Sequence, residues 1–251
     1  MFPGTFNMAL GVGASGGPPI LTFLGAREDL DPGRTVTVTG DYTEGEFTMP
    51  TSVKTALTNL GGTCLVVAVV SLEKVGFYAG VSARITDDDS NVWTEQLVVS
   101  PVDAEGSEVV IMSCELSAMP DNFSVHYESN RTAGRACNTA FYAIQNYTST
   151  TPVSTASAAT STGWTSSDGV ATITGIQSGD IILAGYNEDQ SLTSPGLNEG
   201  TEDLFTNARE GSTTGNTAAF HSIIATGTSQ TFTAPADVDS REAAIGVIAF
   251  R

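Results

Sequence analysis

Apolar and polar residues alternate along much of this chain with the period of an extended strand. Thr35-Val36-Thr37-Val38-Thr39 alternates strictly and is read as ending at Gly40-Asp41. Cys64-Leu65-Val66-Val67-Ala68-Val69-Val70 is a continuous apolar run, rich in β-branched residues and preceded by Gly61-Gly62. Such a run predicts a central strand buried on both faces. Further strands are predicted over 78–85, 92–99, 108–116, 123–128 and 136–145. The second half continues with 153–158, 171–176, 180–186, 218–225, 230–233 and 243–250. The turn between the first two of these is Asp87-Asp88-Asp89-Ser90-Asn91, whose side chains cap their own backbone. One helical turn fits within 51–60, where Val53, Ala56, Leu57 and Leu60 have helix-like spacing despite several threonines. The Gly/Asn/Glu/Thr-rich stretch 187–216 reads as a long loop of the kind that carries function.

Strands at regular intervals without intervening helices predict an all-β fold, an antiparallel β-sandwich of jelly-roll or lectin-like type. Residues 1–33 read as an irregular Gly/Pro-rich N-terminal arm. Gly11, Gly13, Gly16, Gly17 and Pro18-Pro19 oppose helix there, although Ile20 to Leu24 has the composition of a short strand. Residues 34–251 read as one sandwich domain with two similar halves, about 34–150 and 151–251. Cys64 to Val70 parallels Asp180 to Tyr186, and Arg135 to Ile144 parallels Arg241 to Phe250. One sandwich built from both halves and two stacked ones are both compatible with this pattern, and the first is favoured.

The charge balance narrows the function. Among 251 residues only 10 are basic against 28 acidic, for a formal net charge of −18, and just two, Lys54 and Lys74, are lysines. A phosphate-neutralising nucleic-acid binder needs clustered Lys and Arg, and an anionic lipid surface attracts the same residues, so neither partner is expected. No apolar run approaches the ~20 residues that span a bilayer as a helix. Met1-Phe2-Pro3-Gly4 lacks the basic start of a secretion signal, so no export is expected. Cys64, Cys114 and Cys137 are an odd set without metal-ligand spacing, and each lies in or beside an apolar run, where a thiol packs as a small hydrophobe.

The motifs that could carry chemistry are weak. Gly11-Val12-Gly13-Ala14-Ser15-Gly16 matches a dinucleotide-binding pattern, and Gly13-Ala14-Ser15-Gly16-Gly17 a nucleophile elbow, but Pro18-Pro19 follows where a helix should start. Asp87, Asp89 and Asn91 begin like a calcium loop, yet Val92 and Val98 occupy the positions of its Gly and Glu. A hairpin turn is the plainer reading, with a non-standard calcium site as the alternative. Glu199, Glu202, Asp203 and Glu210 read as a solvated acidic surface. His126 and His221 fall inside predicted strands with no partner placed beside them by any motif. Trp93 and Trp164 could stack on sugar rings or simply pack at a sandwich rim. Sequons at Asn122, Asn130 and Asn146 arise readily in so Thr/Ser-rich a chain.

Laid out in this order, the residues resemble accessory virion proteins of tailed bacteriophages, of the alphaproteobacterial and marine type. The resemblance rests on Thr35-Val36-Thr37-Val38-Thr39, the Leu65 to Val70 strand and Arg135 through Phe141-Tyr142-Ala143-Ile144. It continues through Val153-Ser154-Thr155-Ala156-Ser157-Ala158 and Gly179-Asp180-Ile181-Ile182-Leu183-Ala184, and covers about 34–251. It implies a non-enzymatic structural component of the virion, assembled in the host cytoplasm, of the capsid-decoration, cement or spike kind. Its partners would be other virion proteins, whether major capsid, portal, neck or tail, and further copies of itself. No catalytic residue, cofactor or metal is implied. The arm would anchor on neighbours through Phe2, Phe6, Leu21 and Phe23. The alternative is a fibre-like module recognising host surface glycans or a receptor, with Trp164 as a sugar contact.

Overall fold

The computed structural model describes residues 17–28, 40–74, 82–100, 106–129, 136–160, 169–188, 197–210, 214–234 and 242–251. The first part of the chain forms β1 (Ile20–Arg27), β2 (Gly40–Thr48), α1 (Thr51–Leu60), β3 (Cys64–Lys74), β4 (Ser82–Asp87), β5 (Thr94–Val99), β6 (Gly106–Leu116), β7 (Asn122–Ser129) and β8 (Ala136–Gln145). The second part forms β9 (Ser154–Thr160), β10 (Val170–Thr174), β11 (Ile181–Glu188), β12 (Thr201–Glu210), β13 (Thr214–Ile224), β14 (Ser229–Thr233) and β15 (Ala243–Phe250). The all-β expectation is met, and every strand pairing among the described residues is antiparallel.

Several boundaries differ from the sequence reading. The helix runs to three turns because Val53 and Leu57, four residues apart, share one buried face. Pro50 accepts its first backbone bonds, and Gly61, at φ +67°, ends it in a conformation that disfavours a side chain. β2 begins at Gly40, where a strand was expected to stop, because β7 offers it a pairing partner as far as Ser129. The Thr35–Thr39 alternation lies outside the described residues. Within 187–216, expected as loop, β12 pairs along β13 as the edge of a sheet.

The arm reading also changes. Gly17-Pro18-Pro19 has no regular structure, but Ile20–Arg27 is a strand in register with β8. Leu21 and Phe23 pack on the core beneath it, with the Phe23 ring 5.4 Å from that of Tyr142. An apolar strand of period two beside an open sheet edge buries more area by joining the sheet than by staying free. Leu21 and Phe23 are therefore spent on their own chain, whereas Phe2 and Phe6 lie outside the described residues.

Four sheets result. A five-stranded sheet in the order β1-β8-β3-β6-β5 accompanies a three-stranded one, β2-β7-β4. A second five-stranded sheet, β12-β13-β11-β15-β9, accompanies a two-stranded one, β10-β14. In the first set the pairs β1·β8, β2·β7 and β3·β6 nest as in a long hairpin rolled on itself. The second set repeats the nesting as β9·β15, β10·β14 and β11·β13. Among the described residues no strand of β1–β8 pairs with one of β9–β15.

The sheets stack in four layers with three cores between them. Alternate residues of β3 serve different cores. Val66, Ala68, Val70 and Leu72 face the three-stranded sheet and α1, while Leu65, Val67 and Val69 face the second large sheet. β11 does the same: Ile181 and Leu183 face the first large sheet, and Ile182, Ala184 and Tyr186 face β10 and β14. In the outer core of the first set, Phe141 stacks on Phe47 and Phe123 at 5.0 Å each, clamping the small sheet onto the large one.

Candidate functional site

The acidic turn after β4 is a hydrogen-bonded staple. Asp87 is buried, and its Oδ1 accepts the N–H groups of Asp89 (3.1 Å) and Asn91 (3.1 Å) and the Asn91 side-chain amide (3.0 Å). Its Oδ2 accepts the Trp93 indole N–H at 2.9 Å. Asp88 holds the next turn by accepting the backbone and side-chain N–H groups of Asn122. The carboxylate that would open a calcium loop thus faces four N–H dipoles, which repel a cation. Trp93 meets Phe123 edge-on at 5.8 Å, so its ring closes the first core. Trp164, Asn130 and the glycine motifs at 11–16 lie outside the described residues.

The histidines sit apart. His126 shares a 2.7 Å hydrogen bond with Thr86 Oγ1. His221 is buried, and its Nδ1–H donates to the Glu199 carbonyl at 2.9 Å, with Nε2 3.9 Å from Glu202. Burial pushes its pKa down against that hydrogen bond, which favours the neutral ring. All three cysteines are free and buried. Burial pushes Cys64 up to about 11 against a hydrogen bond from Gln145, and Cys114 up to about 11 with help from Asp87 and Glu115. Neither thiol supplies a nucleophilic thiolate near neutral pH. Among the described residues no three His, Cys, Asp or Glu side chains converge as metal ligands would.

Of the expected acidic surface, Glu202 is exposed but Asp203 turns inward. A register shift between Glu202 and Leu204 rotates Asp203 toward the core shared by the two large sheets. There it accepts a 3.0 Å hydrogen bond from the hydroxyl of Tyr142, which belongs to the other large sheet, and it is also bonded to Ser222. Burial raises the Asp203 pKa, and these two hydrogen bonds oppose the rise. Burial, followed by the Asp203 charge, pushes the Tyr142 hydroxyl well above its ordinary range. At the seam's opposite end the Asn187 amide donates to the Leu72 carbonyl at 2.6 Å, and Ser107 Oγ to the Glu242 carbonyl at 2.9 Å.

A second carboxylate closes the chain. Asp180 is buried at the start of β11 and takes both Nε (2.8 Å) and Nη2 (2.9 Å) of Arg251, together with the Gln177 N–H at 2.7 Å. Sequence reading missed this pair and the Tyr142–Asp203 contact, because 71 and 61 residues separate the partners.

No family model, curated protein or solved structure matches the chain.

Among the described residues, three exposed large apolar side chains lie at the end of the stack where β3 and β11 begin. Val92 is 84% exposed, Ile224 54% and Leu60 43%. Topology places the end of α1, the β4–β5 turn and the end of β13 at this same end. Around them the surface is acidic, with Lys54 held by Asp121.

Proposed function

We propose that the chain is a non-enzymatic structural component of a bacteriophage virion, of the capsid-decoration, cement or spike kind, which binds other virion proteins and further copies of itself. The observation that carries this reading is where the reactive side chains are spent. Asp87, Asp180, His221 and the three thiols are buried, Asp203 is half-buried, and the carboxylates bond groups of the scaffold itself. Such an interior suits a role in adhesion, for which the outer surface is the working part. The net charge of −18 supports a protein partner over a phosphate backbone or an anionic lipid surface.

The test is reconstitution. Purified chain is mixed with particles that lack it, and bound copies are counted after sedimentation and located by cryo-electron microscopy. A fixed stoichiometry on one class of neighbour is expected. Failure to bind particles, with specific signals on a glycan array, would replace this reading by the carbohydrate-binding one. Removing residues 1–17 deletes Phe2 and Phe6 and spares β1. Loss of particle binding with an unchanged unfolding midpoint would assign anchoring to that segment, whereas a deletion extended to Leu24 would strip more than half of β1.

A further inference from the structure

The two strand sets repeat one another strand by strand, except that β4 and α1 of the first have no counterpart in the second. Matching β1, β2, β3, β5, β6, β7 and β8 to β9, β10, β11, β12, β13, β14 and β15 converts the order β1-β8-β3-β6-β5 into β9-β15-β11-β13-β12, the second large sheet read backwards. The match extends to side chains. Thr94-Glu95-Gln96-Leu97 in β5 corresponds to Thr201-Glu202-Asp203-Leu204 in β12. Thr94 lies opposite Ser113, and Thr201 opposite Ser222. Both strands shift register at the same step, Glu95/Leu97 and Glu202/Leu204. In both, the bulged residue bonds that serine: Gln96 donates to Ser113 at 2.8 Å, and Asp203 is bonded to Ser222.

The stacking of the large sheets obeys the same correspondence. β3 lies on β11, β6 on β15, and β8 on β13. Under the correspondence the first pair maps onto itself, and the other two map onto each other. β5 touches β15, and its mate is the β12–β8 contact made by Asp203 and Tyr142. The ends of β3 and β11 meet through Asn187 and Leu72, so the two strands run parallel. These relations describe a two-fold axis along the strands, between β3 and β11, and an isologous interface of the kind formed by identical subunits.

On that axis the halves differ. Val69 pairs with Ile111 and Ala140, and Gly185 with the corresponding Phe220 and Gly246, so Val69 and Gly185 occupy one position of the repeat. They face each other. A Cβ on Gly185 would stand 2.6 Å from Val69 Cγ1 and 3.0 Å from Val109 Cγ1, and one on Gly246 would stand 2.9 Å from Val109 Cγ1. The first half carries the knobs and the second the notches.

We infer that the chain is a fused pair of one repeated sandwich unit whose inner sheet face is a self-recognition surface, made one-sided by Val69 against Gly185 so that it accepts only the unlike half. Two first halves would bring Val69 against Val69 where there is room for one side chain. Two second halves would leave a void lined by Gly185 and Gly246. The most apolar face of each unit is thereby closed inside one chain, and contacts between chains fall to the outer layers and sheet edges.

The experiment uses the full chain with a protease recognition sequence placed at the exposed Thr150 and Thr151, cut after folding and followed by native mass spectrometry on dilution. The cut halves are expected to stay together one to one, with no complex of two like halves after reconcentration. Gly185→Ala is expected to weaken the association on the order of tenfold to a hundredfold, and adding Val69→Ala to recover much of that loss, since it removes the clashing methyl. Separation of the unvaried cut halves, like-half complexes in comparable amount, or a double variant no tighter than Gly185→Ala alone would overturn the inference. The first two readouts need no variant to fold.

Discussion

Replacing Asp87 by Ala removes the acceptor of four N–H groups at once, and the expected loss is about 2–5 kcal/mol. The donors are not equal. The backbone N–H groups of Asp89 and Asn91 and the Asn91 amide lie in a turn open to water, which can replace most of what the carboxylate gave them. Each then contributes about 0.5 kcal/mol or less. The Trp93 N–H is half-buried against the first core, and losing a charged partner there costs about 1.5–3 kcal/mol. Loosening the indole over Phe123 adds up to about 1 kcal/mol. Urea unfolding followed by tryptophan fluorescence and by far-ultraviolet circular dichroism measures the sum. The native emission should also shift to the red as Trp93 gains water. Asp87→Asn keeps a carbonyl acceptor but loses the charge, and should fall between wild type and Ala. Millimolar calcium should leave the wild-type midpoint where it is. A loss below about 0.5 kcal/mol would refute the staple, and a calcium-dependent rise present in wild type but absent in Asp87→Ala would restore the cation-site reading.

Two further outcomes follow from the buried charges and thiols. Burial alone would raise the Asp180 pKa, but the Arg251 side chain and the Gln177 N–H together hold it below its ordinary 3.8. Because the folded value is the lower one, its contribution is complete above the unfolded pKa and is lost as pH falls through the folded one. Asp180→Asn should therefore lower the unfolding midpoint at pH 7, and the gap from wild type should close in acid; an unchanged gap at pH 2 would contradict the assignment. With Cys64 and Cys114 raised from 9.0 to about 11, the thiolate fraction at pH 8 falls about 100-fold, and burial slows access further. A thiol reagent should label neither of them in the folded chain within minutes and all three cysteines in denaturant, as counted by mass; prompt labelling of the native chain would disprove the buried placement.

The strands that sequence reading found most surely are those whose residues are apolar on both faces. Over 64–70 burial on both sides writes itself as an unbroken apolar run, and 136–145, 181–186 and 243–250 are mostly apolar; these segments became the inner strands β3, β8, β11 and β15. Edge strands carry a weaker mark. β12 opens with Thr201, Glu202 and Asp203 and has a neighbour on one side only, so its composition is that of a loop. Asp203 was misjudged for a related reason. Its inward turn comes from a one-residue register shift, which no local pattern announces, and its partner Tyr142 comes from the other half of the chain.

Composition, acidity and the period of the apolar positions determined by themselves that this chain is built of strands, which of them lie deepest, and that it carries a formal net charge of −18. They also hinted at two related halves. Pairing order, the stacking of the halves in four layers, and the commitment of Leu21, Phe23, Asp87 and Asp203 to the interior were decided only in three dimensions. The physical reason is that an apolar strand encodes how much of it must be buried, but not against what. Val67 and Val66 look alike in the sequence, yet one faces the other half and its neighbour faces a three-stranded sheet, because long-range closure of the chain chose the partners.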